Sequence, residues 1–168
     1  MNKKEYKLLF ENAFRFLITD YSFKIISTKT DNWGISILAK NLTTGVEIID
    51  EIREAYIQIT LYRLIGDEIV ENTVSAIKNG ESINGFELGW IIKLKNPDAQ
   101  IKPAYEYGDG SPFHDEKNGK KNYVEFVAGK LKEYAGDILN GDFSSFGALD
   151  KMVKERYKER RKNYNKNE

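Results

Sequence analysis

Within residues 33–62 apolar side chains twice fall on alternate positions, and the second run, Ala55, Ile57, Ile59 and Leu61 set between Tyr56, Gln58, Thr60 and Tyr62, leaves little freedom of interpretation. Successive side chains on a strand point to opposite faces, so this order predicts a half-buried strand with one apolar face and one polar face carrying tyrosines. The first run places Trp33, Ile35, Ile37 and Ala39 against Gly34, Ser36, Leu38 and Lys40. Turn-forming residues at 41–45 then lead into Val46, Glu47 and Ile48, which predicts a hairpin.

The chain before this region keeps a different period. Tyr6, Leu9, Phe10, Ala13, Phe14 and Leu17 recur at three-and-four spacing, one face of an amphipathic helix, with Asn2 and Glu5 placed for a capping box at its start. Further along, residues 67–78 fit a helix stopped at Asn79-Gly80, although their β-branched side chains also suit a strand. Phe86, Leu88, Trp90, Ile92 and Leu94 alternate and predict another strand. Residues 97–121 hold all three prolines and read as a long loop. Tyr123, Val124, Val127, Leu131, Tyr134, Ala135 and Ile138 return to helical spacing up to Asn140-Gly141, and a last helix runs from about Ser145 past Tyr157.

A helix, then antiparallel strands, then helices does not give the regular alternation that a doubly wound parallel sheet needs. The expected fold is therefore α+β: an N-terminal helix, an antiparallel sheet of about four to five strands, and C-terminal helices packed on one face. Residues 1–164 are expected to form one domain, with 165–168 as a disordered tail.

Composition removes several kinds of chemistry. The chain has no cysteine and one histidine, so thiolate nucleophiles, thiolate metal sites and multi-histidine centres are excluded. His114 lies in YGDGSPFHDE beside Asp109, Asp115 and Glu116, but without a second nitrogen ligand or helical ligand spacing it reads as a loop residue. The same loop lacks the lysine of a phosphate-binding loop and the GxGxxG pattern, and neither Ser111 nor Ser144-Ser145 sits in a nucleophile elbow. No cofactor and no metal are expected. The N-terminal apolar run is broken by Glu5, Glu11, Asn12 and Arg15, and no stretch is apolar enough to span a bilayer, so a cytoplasmic location is expected.

Charge is balanced overall, 26 basic against 26 acidic side chains, but it is unevenly placed. Residues 47–71 carry seven acids against two arginines, whereas residues 150–168 carry eight basic side chains against four acids. In the basic end, Glu155 and Glu159 fall at helical pair spacing with lysines, which is ordinary for an exposed helix and argues against nucleic-acid binding. The acidic middle coincides with the tyrosine face. Glu47, Asp50, Glu51 and Glu54, read as solvent-facing, together with Tyr56 and Tyr62, are the expected partner-binding residues, since tyrosine is favoured in interfaces and clustered acids steer a basic partner.

The stretch LLFENAFRFLITDYSFKIISTKTDNWGISILAKNLTTGVEIIDEIREAYIQITLYRL, with the Lys/Arg/Glu-rich closing helix, is similar to small uncharacterised bacterial proteins in which a helix ending in FxFL…DYxF precedes a hairpin and an alternating strand. Some of these resemble immunity proteins of polymorphic toxin systems. The resemblance covers about the first 65 residues and the terminal helix, and supplies no catalytic residue. It implies an inhibitor of a bacterial toxin, and with the acidic strands the expected partner is a basic toxin domain. Two other functions stand beside it: a small enzyme using the 97–121 loop around His114, and a nucleic-acid-associated regulator using the basic helix.

Overall fold

In the computed structural model of the protein, which describes residues 2–53 and 55–164, Asn2 opens the first helix with a full capping box. Its side chain accepts from the backbone of Lys4 and Glu5, and the Glu5 carboxylate accepts from the Asn2 N–H. Such a cap stabilises a helix start by about 1 kcal/mol. Helix α1 (Lys3–Ala13) stops one turn short of the predicted run, and α2 (Phe16–Tyr21) continues after a bend at Phe14 and Arg15. The predicted face holds across the bend: Tyr6, Phe10, Phe14 and Leu17 are all buried.

Five strands form one antiparallel sheet in the order β1-β2-β3-β4-β5: β1 (Lys24–Thr30), β2 (Gly34–Lys40), β3 (Thr44–Glu51), β4 (Tyr56–Arg63) and β5 (Gly85–Glu87). The predicted hairpin is β2–β3, turned by Asn41, whose side chain accepts from the backbone of Thr43 and Thr44 while its amide donates to the carbonyls of Tyr21 and Leu139. Strand β4 has the expected faces, with Ile57, Ile59 and Leu61 inward and in the core.

Two elements differ from the sequence reading. Only residues 86 and 87 of the predicted 86–94 strand are extended, as part of β5; Leu88–Lys95 is helix α4. The run LGWIIKLK satisfies both periods, and burial of Leu88, Ile91 and Ile92 at three-and-four spacing gives the helix the better apolar face. Trp33 was expected beside Ile35 and Ile37, but the Asp31 side chain accepts from the Trp33 and Gly34 N–H groups, and that turn leaves Trp33 57% exposed.

The remaining helices are α3 (Thr73–Asn79), α5 (Gly119–Leu139) and α6 (Phe146–Tyr164). Helix α3 is shorter than 67–78 and ends at Gly80 in the left-handed conformation, as its Asn-Gly signal implies. Helix α5 packs against α1, α4 and β4, and buries Tyr123, Val124, Val127, Leu131, Ala135 and Ile138. Helix α6 packs on α4 through Phe146 and Leu149, with Phe146 edge-on to Phe86 at 4.8 Å. The sheet therefore has an inner face under helices and an outer face. The fold class is α+β, as the periodicities imply, and no helix among the described residues is long and apolar enough to cross a membrane. The suggested tail at 165–168 lies outside the described residues.

Candidate protein-binding face

Strand pairing decides which of the expected contact residues share a surface. Glu47 lies opposite Thr60, Ile49 opposite Gln58, Glu51 opposite Tyr56, and Thr60 opposite Glu87 on β5. Glu47, Glu51, Tyr56 and Tyr62 thus belong to the outer face, joined by Gln58, Thr60 and Glu87. Glu54 lies outside the described residues.

The outer face is shaped by two glycines. A Cβ on Gly85 would stand 2.3 Å from the Tyr62 ring, so only glycine lets that ring lie flat across β5. A Cβ on Gly45 would stand 2.5 Å from Ile69, so the bare backbone there lets the 64–72 segment close over the end of the sheet. Tyr62 is consequently 5% exposed, and its hydroxyl donates to Glu47 at 3.2 Å. Burial, followed by the Glu47 charge, pushes the Tyr62 hydroxyl above its ordinary range. Gln58 donates to Glu87 at 3.3 Å, and burial raises the Glu87 carboxyl above its ordinary value. Tyr56 is raised by burial and then by Glu87.

The sequence reading left out Glu71 and Glu87. Both line a hollow of about 410 Å³ with Glu47, Tyr62 and Trp90. Among the described residues none of Glu47, Glu51, Glu71 and Glu87 forms a salt bridge, whereas Glu11, Asp20, Asp50, Asp67, Glu133 and Asp137 each pair with a lysine. Glu87 was legible as a residue on the polar face of the predicted strand. Glu71, beyond β4, gave no periodic signal.

Asp50 corrects the expectation that it faces solvent. It is fully buried on the inner face, beside Val46 and Ile48 in the strand's alternation and opposite Ile35 and Ile57. One carboxylate oxygen accepts from the Tyr6 hydroxyl and pairs with Lys120 Nζ at 2.5 Å; among the described residues the other has no hydrogen-bond partner. Desolvation and the adjacent carboxylate push the Tyr6 hydroxyl far above its ordinary range. The three side chains tie α1 and α5 to β3. Tyr6 and Lys120 also line a cleft of about 570 Å³ with Ile52, Ala55, Phe113 and Tyr123.

Phe113 connects this cleft to the His114 loop, which is ordered by packing. Two 3₁₀ turns, at Ala104–Glu106 and Pro112–His114, set Phe113 among Tyr107, Tyr123 and Phe126. Asp115 caps the next turn by accepting from Lys117 and Asn118. His114 is exposed, and its Nε2 lies 3.1 Å from the Ala104 carbonyl. Among the described residues no group of three or more histidines, aspartates and glutamates is arranged to hold a metal ion.

In comparisons with known proteins, no family model, no curated protein and no solved structure matches the chain.

Proposed function

We propose that this protein is a non-catalytic protein-binding module, an immunity- or antitoxin-like inhibitor that works in the cytoplasm by covering a basic toxin domain with its outer sheet face. The observation that carries this reading is the set of carboxylates that form no salt bridge among the described residues, Glu47, Glu51, Glu71 and Glu87, gathered with Tyr56 and Tyr62 on one side of the sheet. A surface whose clustered acids are not neutralised by neighbouring cations attracts a basic partner at long range, and the tyrosines supply contact area at short range.

Two kinds of residue then play separate parts. The carboxylates set the association rate, and the half-buried Tyr56 sets how slowly the complex comes apart. Where a neighbouring gene encodes a toxic domain, that domain is the partner to test by stopped-flow mixing. Association should slow as salt screens the attraction over about 8 to 10 Å, and reversal of Glu47 and Glu51 to lysine should slow it at low salt. Tyr56→Ala should mainly speed dissociation, with about 1 to 3 kcal/mol of affinity lost. Association indifferent to both salt and charge reversal would remove the acidic face from the account.

The cleft beside Tyr6 and Lys120 favours a second reading, a small enzyme or ligand-binding protein using the 97–121 loop, because Phe113 of that loop forms part of its wall. Turnover of a small substrate, lost in Lys120→Met and retained in Glu47→Lys, would put that reading first.

A further inference from the structure

We infer that the outer sheet face is one continuous trough shaped for an extended basic segment of a protein partner, with a tryptophan at either end. This rests on the protein-binding reading and specifies what the partner presents.

Three hollows lie along this face, of about 410, 490 and 410 Å³. They are not separate sites. Ile49 lines all three, Glu51 is shared by the first two, and Gln58 by the last two. The first reaches Trp33, whose ring carries the Arg53 guanidinium at 4.0 Å; the last reaches Trp90. An α-helix about 10 Å across would bridge over such hollows, whereas an extended chain sends a side chain to the same face at every second residue, about 7 Å apart, and can fill hollows in series.

Charge gives the trough a direction. Its Trp90 end is lined by Glu47, Glu71 and Glu87 with no cationic lining residue, although Lys93 Nζ stands 5.8 Å from the Trp90 ring centre. At the Trp33 end, Lys29 and Arg53 stand with Asp31 and Glu51, and the Asp50 carboxylate that also borders it is already paired with Lys120. A basic segment therefore lies with its lysines and arginines toward Trp90, and an apolar residue suits the exposed face of Trp33. Arginine fits the acidic end better than lysine, because its planar head both stacks on an aromatic ring and bonds two carboxylates.

The chain has two tryptophans, and these are the two at the ends of the trough, so fluorescence reports each end separately. Trp33→Phe and Trp90→Phe each leave one reporter. The probe is a ten-residue linear peptide, Arg-Thr-Arg-Thr-Arg-Thr-Ser-Thr-Leu-Thr, which carries its arginines and its leucine on one face of an extended chain, with binding followed independently by calorimetry. The expected result is a saturable emission change in both proteins, with midpoints agreeing within about twofold and rising roughly tenfold or more between about 20 and about 200 mM salt. The triple variant E47Q/E71Q/E87Q should raise both midpoints by a similar factor. Heat of binding with a response from Trp90 alone would overturn the trough while leaving an acidic protein-binding face in place. Absence of peptide binding at low salt, with the toxic domain still docking on this face, would also overturn it, whereas failure of the toxic domain to bind would sink the underlying reading.

Discussion

Lys120→Met removes the cation paired with a carboxylate that has no access to solvent, and its cost can be worked from the geometry. Asp50 is fully buried, Lys120 Nζ lies 2.5 Å from it, and its second oxygen has no hydrogen-bond partner among the described residues. Breaking a buried pair by removing one member costs about 3 to 5 kcal/mol, because the remaining charge is stranded. The Lys120 side chain is 28% exposed, so water reaches the vacated side and the loss should fall to about 2 to 3 kcal/mol. For a domain of this size that lowers the melting temperature by about 5 to 10 °C. Asp50→Asn keeps the shape and an acceptor for Tyr6, and leaves a lysine that can turn outward, so it should cost only about 1 kcal/mol. The double variant buries no charge, and its loss should be smaller than the sum of the single losses by at least about 1 kcal/mol. Urea denaturation followed by far-ultraviolet circular dichroism measures all four proteins. A Lys120→Met protein within about 0.5 kcal/mol of wild type, or strictly additive losses, would refute the role given to this pair.

Other expectations concern the outer face and the loop. Burial holds the folded-state Glu87 carboxyl above its ordinary value of 4.5, so the folded form disfavours the charge, and the stability present at lower pH is lost as pH rises through and above that value. Glu87→Gln should therefore gain stability over wild type at pH 7 and little at pH 4, read from urea midpoints; a larger gain at pH 4 would contradict this. Gly85→Ala places a Cβ against the Tyr62 ring and should cost about 1 to 3 kcal/mol, and Tyr62→Ala in the same chain should relieve part of the strain. His114→Ala loses one exposed contact to a carbonyl and should cost no more than about 1 kcal/mol in thermal unfolding. Stoichiometric zinc in the purified wild type, absent from that variant, would overturn the loop assignment.

The periodic signals carried much of the fold. Alternation gave β2 and β4, three-and-four spacing gave α1 and α5, and Asn-Gly marked the ends of α3 and α5. Strand β1 was hidden because Lys24–Thr30 is an edge strand with exposed Ile25 and Ile26 and a register shift near Ser27, so no clean alternation survives. Helix α4 was hidden because its apolar residues satisfy two periods at once. The burial of Asp50 was legible and was missed: Val46, Ile48 and Asp50 share one phase, Glu47 and Glu51 the other, and counting acids ignores phase. Its partner Tyr6 stands 44 residues away, and no local pattern reports that meeting.

Blockade of a basic toxin domain by the acidic sheet face is tested most directly by survival of a host cell that expresses this protein together with a toxic domain found in a neighbouring gene. Wild type should restore growth, Asp50→Asn should do nearly as well because Asp50 lies on the inner face, and a protein with Glu47, Glu51, Glu71 and Glu87 reversed to lysine, shown to be folded, should fail. Equal rescue by wild type and the fourfold reversal, or no rescue by a wild-type protein that turns over a small substrate, would contradict it.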